Sequence, residues 1–146
     1  MITLAIGKLL ENEGFGKLLV LGSETNPSIF VEQITLGKDN NSRNGLWLES
    51  RGFPVSRGTR TTSAFDIYAR TTSPFLSYSK LEDVLSYLQE AYGTVCDLPV
   101  ITGVSTKQYV NVTIQPTGTI ENVGQDSEGR MVFVMSAQVS YEKTNI

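Results

Sequence analysis

The chain has 146 residues, a formal net charge of −3, one cysteine and no histidine. A chain of this length suits one domain that buries roughly 70% of its unfolded surface, enough for a core without disulfide or metal. The missing histidine excludes Cys-His and Ser-His-Asp machinery and His-based metal sites. The acidic balance argues against a free-standing DNA-binding module, and no apolar run is long enough to cross a bilayer.

Ile2, Ile6, Leu9 and Leu10 fall near helical spacing, which predicts a short first helix that stays in the mature chain. Gly14 and Gly16 end it. Lys17 to Leu21 is a short apolar run that reads as a buried strand. Glu24-Thr25-Asn26-Pro27 is a turn signal, and Ser28 to Leu36 is again β-rich. From Gly37 to Thr62 the chain turns polar and rich in Gly, Arg, Ser and Thr, broken by a short strand at Gly45 to Glu49. This stretch reads as a long, weakly structured excursion, of the kind that is functional or ordered on binding.

Phe65, Ile67 and Ala69 alternate with Asp66, Tyr68 and Arg70, a half-buried strand. After Pro74 comes a helix with Ser79 as its cap, Glu82 at capping-box spacing, and an apolar stripe of Leu81, Val84, Leu85, Leu88 and Tyr92. Gly93 suits its stop. The last third is β: Val110, Val112 and Ile114 form one alternating face, Met131 to Tyr141 another, with a turn at Asp126-Ser127-Glu128-Gly129 between. The expected fold is α+β: a mixed, mainly antiparallel sheet flanked by two helices, in a single domain over residues 1–146, with a long central loop or hairpin excursion over residues 37–62.

Chemistry-bearing motifs are missing. There is no phosphate-binding loop, and Gly14-Phe15-Gly16 lacks the third glycine of a dinucleotide turn. Cys96 reads as a small packing residue, Asp126 with Glu128 as a solvated turn, and Asn111-Val112-Thr113 as an ordinary strand triplet. No residue is nominated as catalytic, cofactor-binding or metal-ligating, and no enzyme activity is expected. The one unusual charge pattern is Arg43, Arg51, Arg57 and Arg60, with Lys38 upstream and only Asp39 and Glu49 to offset them. Solvation or ion pairs between subunits is the favoured reading, and contact with DNA phosphates the other.

The order of elements carries a resemblance. It comprises the helix-strand opening, the central excursion, Phe65-Asp66-Ile67-Tyr68-Ala69-Arg70, and the helix Leu81-x-x-Val84-Leu85-x-x-Leu88. Then come Gln115-Pro116-Thr117-Gly118-x-Ile120, Gly124-x-Asp126-x-x-Gly129-Arg130 and the closing strand to Tyr141. This layout resembles the tail-terminator or minor capsid proteins of long-tailed bacteriophages, most strongly from Ser63 onward. The resemblance implies a homo-oligomeric, commonly hexameric ring in the tail and neck region of the virion, assembled in the host cytoplasm. The ring caps the tail tube and joins it to the neck connector; non-specific contact with genome DNA in its lumen is a further expectation. A ring needs heterologous contacts, and Arg43, Trp47, Arg51, Phe53, Arg57 and Arg60 are the candidate subunit-interface residues. A head-side neck or tail-completion protein is the alternative within a virion. A small-molecule binding module or unrecognised enzyme is the alternative of another class.

Overall fold

The computed structural model describes residues 1–32, 44–92 and 96–146. Among these residues two helices and six strands follow in the order α1 (Ile2–Asn12), β1 (Ile29–Val31), β2 (Gly45–Arg57), β3 (Arg60–Thr71), α2 (Pro74–Tyr92), β4 (Lys107–Pro116), β5 (Glu121–Gln125) and β6 (Met131–Asn145). They form one sheet of order β1-β2-β3-β6-β4, with β5 also paired to β6. Only β1–β2 is parallel; the other pairs are antiparallel. No described helix is long and apolar enough to cross a membrane.

Alternation sorts the strands into two faces. Leu46, Leu48, Phe65, Ile67, Ala69, Met135, Ala137 and Val139 are all buried, and register aligns them: Leu48 opposite Ile67, Ile67 opposite Met135, Phe65 opposite Ala137. Both helices close over this side, α1 on β1 and β2, α2 on β3, β4 and β6. Helix α1 buries Ile2, Ile6, Leu9 and Leu10. It ends as expected at Gly14, whose φ of +86° lets the amides of Gly14 and Phe15 return to the carbonyls of Glu11 and Leu10, the Schellman arrangement.

Several elements differ from the sequence reading. Lys17 to Leu21 makes one isolated bridge, Leu18 to Ile29, in place of a strand. Carboxylates take the amides a partner strand would have taken: Glu11 accepts from Leu18, and Glu24 from Val20, Leu21 and Gly22. Strand β1 stops at Val31, and Glu32 follows with φ +57°. The rest of the expected Ser28–Leu36 strand lies outside the described residues, as do the excursion's Gly37 to Arg43 and the helix stop at Gly93.

Of the expected loop or hairpin, the described part over Arg51 to Thr62 is a hairpin, more regular than the weakly structured stretch its composition suggests. Strands β2 and β3 run out to Arg57 and Arg60 and join through Gly58-Thr59. Gly58 has φ +63°, the positive angle that two-residue hairpin turns need at this place. At its start, β2 passes so close to Ser28 that a Cβ on Gly45 would sit 2.3 Å from the Ser28 carbonyl oxygen.

Helix α2 also begins earlier than expected. Ser73 is its cap, its carbonyl accepting from Ser77 at 3.1 Å, and Pro74 occupies the first turn. Proline is favoured there because its missing N–H would have been unpaired in any case. Ser79 is therefore inside the helix. Leu81, Val84 and Leu88 are buried as expected, while Leu85 is half-buried.

Candidate assembly surface

The sheet's second face, away from the helices, divides into a closed end and an open end. At the closed end Trp47 stacks on Phe30, with centroids 4.9 Å apart and planes 18° apart, and both are buried. The Arg70 guanidinium lies 4.2 Å from the Trp47 ring centroid, within cation–π range. Arg70 pairs with Asp126 at 3.3 Å, and Asp126 pairs with Arg130 at 3.2 Å. The second Arg130 amine reaches Glu128 at 3.0 Å. Among the described residues the Trp47 indole Nε1 has no hydrogen-bond partner. Trp47 thus belongs to the subunit core, and its assignment to a subunit interface is corrected: its ring is spent on Phe30 and Arg70.

The turn that leads into β6 builds this cluster. One Asp126 carboxylate oxygen accepts from the amides of Glu128 and Arg130, each at 2.9 Å, and Gly129 turns the chain with φ +78°. The other oxygen holds both arginines. Burial alone would raise the Asp126 pKa; the Arg130 and Glu128 amides and the two guanidinium charges outweigh it and hold the carboxyl below its ordinary value. The Gly124-x-Asp126-x-x-Gly129-Arg130 spacing therefore has a local mechanism, and the reading of Asp126 with Glu128 as a solvated turn is corrected to an ionic one.

The open end is polar. Glu49 pairs across to Asp66, and Asp66 to Ser136, whose hydroxyl donates to it at 2.6 Å. Arg51 approaches Asp66 at 3.8 Å. Glu32 accepts from the Ser50 amide at 2.7 Å. Burial, then the charges of Glu32 and Asp66, raise the Glu49 pKa.

Among the described residues, two apolar surfaces stand out on the outside. The first is the outer edge of β2. Among the described residues β1 pairs with β2 over Leu46 to Leu48, and every residue from Ser50 to Arg57 is exposed. Register breaks between Arg51 and Val55, where Gly52 has φ +70°. This bulge throws Phe53 outward at 93% exposure, with Val55 beside it at 59%. Bulges, prolines and charges are the usual defences of a free strand edge. Here the bulge carries Pro54 between a phenylalanine and a valine, with Arg51 and Arg57 at its flanks.

The second surface is a groove along the outward side of α2. One half is lined by Phe75, Tyr78, Glu82 and Phe133, the other by Tyr78, Glu82, Leu85 and Ile120. Phe75 is 83% exposed. Tyr78 meets Phe133 edge-on at 5.7 Å. Sequence reasoning missed this groove because it began the helix at Ser79; Phe75, Leu76 and Tyr78, off the Leu81-Val84-Leu88 phase, were the available signal.

Of the six expected interface residues, the structure exposes Arg51, Phe53 and Arg57 on the β2 edge. Trp47 is buried, and Arg43 lies outside the described residues. Arg60 is engaged by its own subunit, donating to the Asn111 carbonyl at 2.9 Å, the Thr113 hydroxyl at 3.2 Å and the Ser140 carbonyl at 3.3 Å. A bulge in β4 at Asn111, φ +52°, turns that carbonyl toward it. Among the described residues no three His, Cys, Asp or Glu side chains group to hold a metal. No family model matches the chain, and no curated protein matches it.

Proposed function

We propose that the chain is a structural subunit of a bacteriophage virion, a tail terminator whose ring caps the tail tube and joins it to the neck connector. The observation that carries this reading is the outer edge of β2. A bulge in the β2–β3 ladder there places Phe53, with the paired Val55 beside it, outside the subunit between Arg51 and Arg57. Exposed apolar groups rimmed by charge are what a protein–protein contact offers. The layout that resembles tail terminators supplies the kind of assembly. The arginines then serve the contact, with carboxylates of a neighbour as partners, and genome DNA in the lumen as the competing partner for Arg57.

Imaging of particles carrying a tagged subunit tests the proposal. A closed ring at the top of the tail tube is expected. Density on the head side of the neck would replace the terminator by a head-side connector. A chain that is monomeric in solution and missing from particles would end the virion reading. Charge reversal at Arg57 separates its two partners: loss of ring formation without DNA indicates protein, whereas intact rings that fail in joining or genome retention indicate DNA. Arg60 is unsuited to this test, because its reversal breaks bonds within the subunit.

A further inference from the structure

We infer that the β2 edge of one subunit docks, through Phe53 and Val55, into the α2 groove of a second copy, lined by Phe75, Tyr78, Phe133 and Ile120. This deepens the ring reading and rests on it. Three observations select a second copy as the occupant.

The two surfaces are distinct and far apart on one subunit. Phe53 lies beside the Thr62–Ala64 stretch of β3, whereas Phe133 stands opposite Ala69. That is roughly five to seven residues along the strands, about 17–24 Å, with β3 intervening across the sheet. A subunit therefore cannot seat its own Phe53 in its own groove, but a neighbour can seat it. Donor and acceptor patches that differ give a head-to-tail contact, the kind that generates rings.

Charge is complementary as well. Arg51 and Arg57 flank the projecting side chains, and both are exposed. Glu82 lines both halves of the groove, Asp83 follows it on the exposed side of α2, and Glu121 adjoins Ile120. A guanidinium paired with a carboxylate at the rim of an apolar contact fixes register and disfavours wrong partners. Two β2 edges meeting each other would oppose arginine with arginine, and two grooves would oppose Glu82 with Glu82.

Finally, shape is matched in kind. The bulge presents a prominent aromatic and a smaller branched side chain on a strand, while the groove is open and walled by aromatic rings. Aromatic anchors set in apolar pockets are where binding energy concentrates.

The test uses the full chain with Cys96→Ala, so that no native thiol competes. One preparation carries Pro54→Cys beside the Phe53 anchor, a second carries Ser79→Cys at the groove under a different tag, and a short bismaleimide is the probe. Cross-linked dimers are expected when the two are mixed under assembly conditions, and none within either alone. A chain with both cysteines should give a ladder that ends at the ring size. Arg57→Glu should abolish assembly, and adding Glu82→Arg should restore it, a rescue that misfolding could not give. Rings that form without the mixed cross-link would overturn this interface while leaving the ring reading intact. Cross-links within the Pro54→Cys preparation alone, or from Pro54→Cys to another particle protein, would also overturn it. A chain that never assembles, alone or in particles, would remove both.

Discussion

Replacing Asp126 with alanine should cost about 2–4 kcal/mol of stability. Its carboxylate accepts two backbone amides at 2.9 Å and faces two guanidinium groups at 3.2 and 3.3 Å. The arginine side chains are only 7% and 6% exposed, so removing the carboxylate leaves buried positive charge, a loss of roughly 3–5 kcal/mol for a fully buried pair. Two features reduce it: Asp126 is itself 16% exposed, and Glu128 still meets Arg130. Asparagine keeps the acceptor for the two amides and should cost about half as much. At about 2–4 °C per kcal/mol for a domain near this size, the alanine change should lower Tm by about 5–15 °C. The effect is also pH-dependent. Because the folded pKa is depressed, the carboxylate's contribution is fully present above its ordinary value of 3.8 and fades as pH falls through the folded value. Denaturant unfolding of wild type, Asp126→Ala and Asp126→Asn, at neutral pH and in acid, measures this. An alanine variant within about 1 kcal/mol of wild type, roughly the average cost of any point mutation, would refute the ionic reading of the turn. So would a wild-type advantage over asparagine that persists undiminished in strong acid.

Leu88 is fully buried on the sheet side of α2, so Leu88→Ala should cost roughly 2–5 kcal/mol in the same assay. Leu85→Ala should cost less, since Leu85 is half-buried, and equal losses would mean that the helix is rotated from the described position. Tyr87 should ionise only near pH 12: burial raises its phenol first, and Glu13, by charge and hydrogen bond, raises it further, to about 12. Its neutral form is the one the fold favours, so the stability it adds is complete below pH 10 and is lost as pH rises through about 12. Ultraviolet difference titration of wild type against Tyr87→Phe isolates this step, and a step already at pH 10 would contradict the burial.

Strong local periodicity was what sequence could carry. Phe65-Ile67-Ala69 and Met135-Ala137-Val139 each announce a face by alternation, and the structure buries both sets. Asp126-Ser127-Glu128-Gly129 announces its turn, but not that Asp126 binds Arg70 as well as the neighbouring Arg130, because the Arg70 pairing depends on strands brought together from distant sequence. Arg51 to Thr62 misled for a related reason. Its composition is loop-like, yet strand formation depends on what a partner offers, and β3, fixed by its own pairing with β6, offers a ladder. Trp47, in a short apolar run among polar neighbours, gave no sign that Phe30 and Arg70 would enclose it. Pro74 reads in the sequence as a boundary but lies in the first turn of α2, and that displacement hides the groove beside the helix.

The place of β6 governs how this chain can fold as it is made. Residues 131–145 come late in the sequence yet lie inside the sheet, zipped to β3 on one side and to β4 and β5 in succession on the other. Until they emerge from the ribosome, β3 has an unsatisfied edge and the core beneath α2 lacks part of its floor. The β5–β6 turn is local and can close quickly, whereas β3 must wait for a partner about 70 residues away, the kind of pairing that sets slow folding. Shortening the chain within β6 would therefore not fray a terminus. It would remove the middle of the sheet and leave a hydrophobic half-domain prone to associate wrongly.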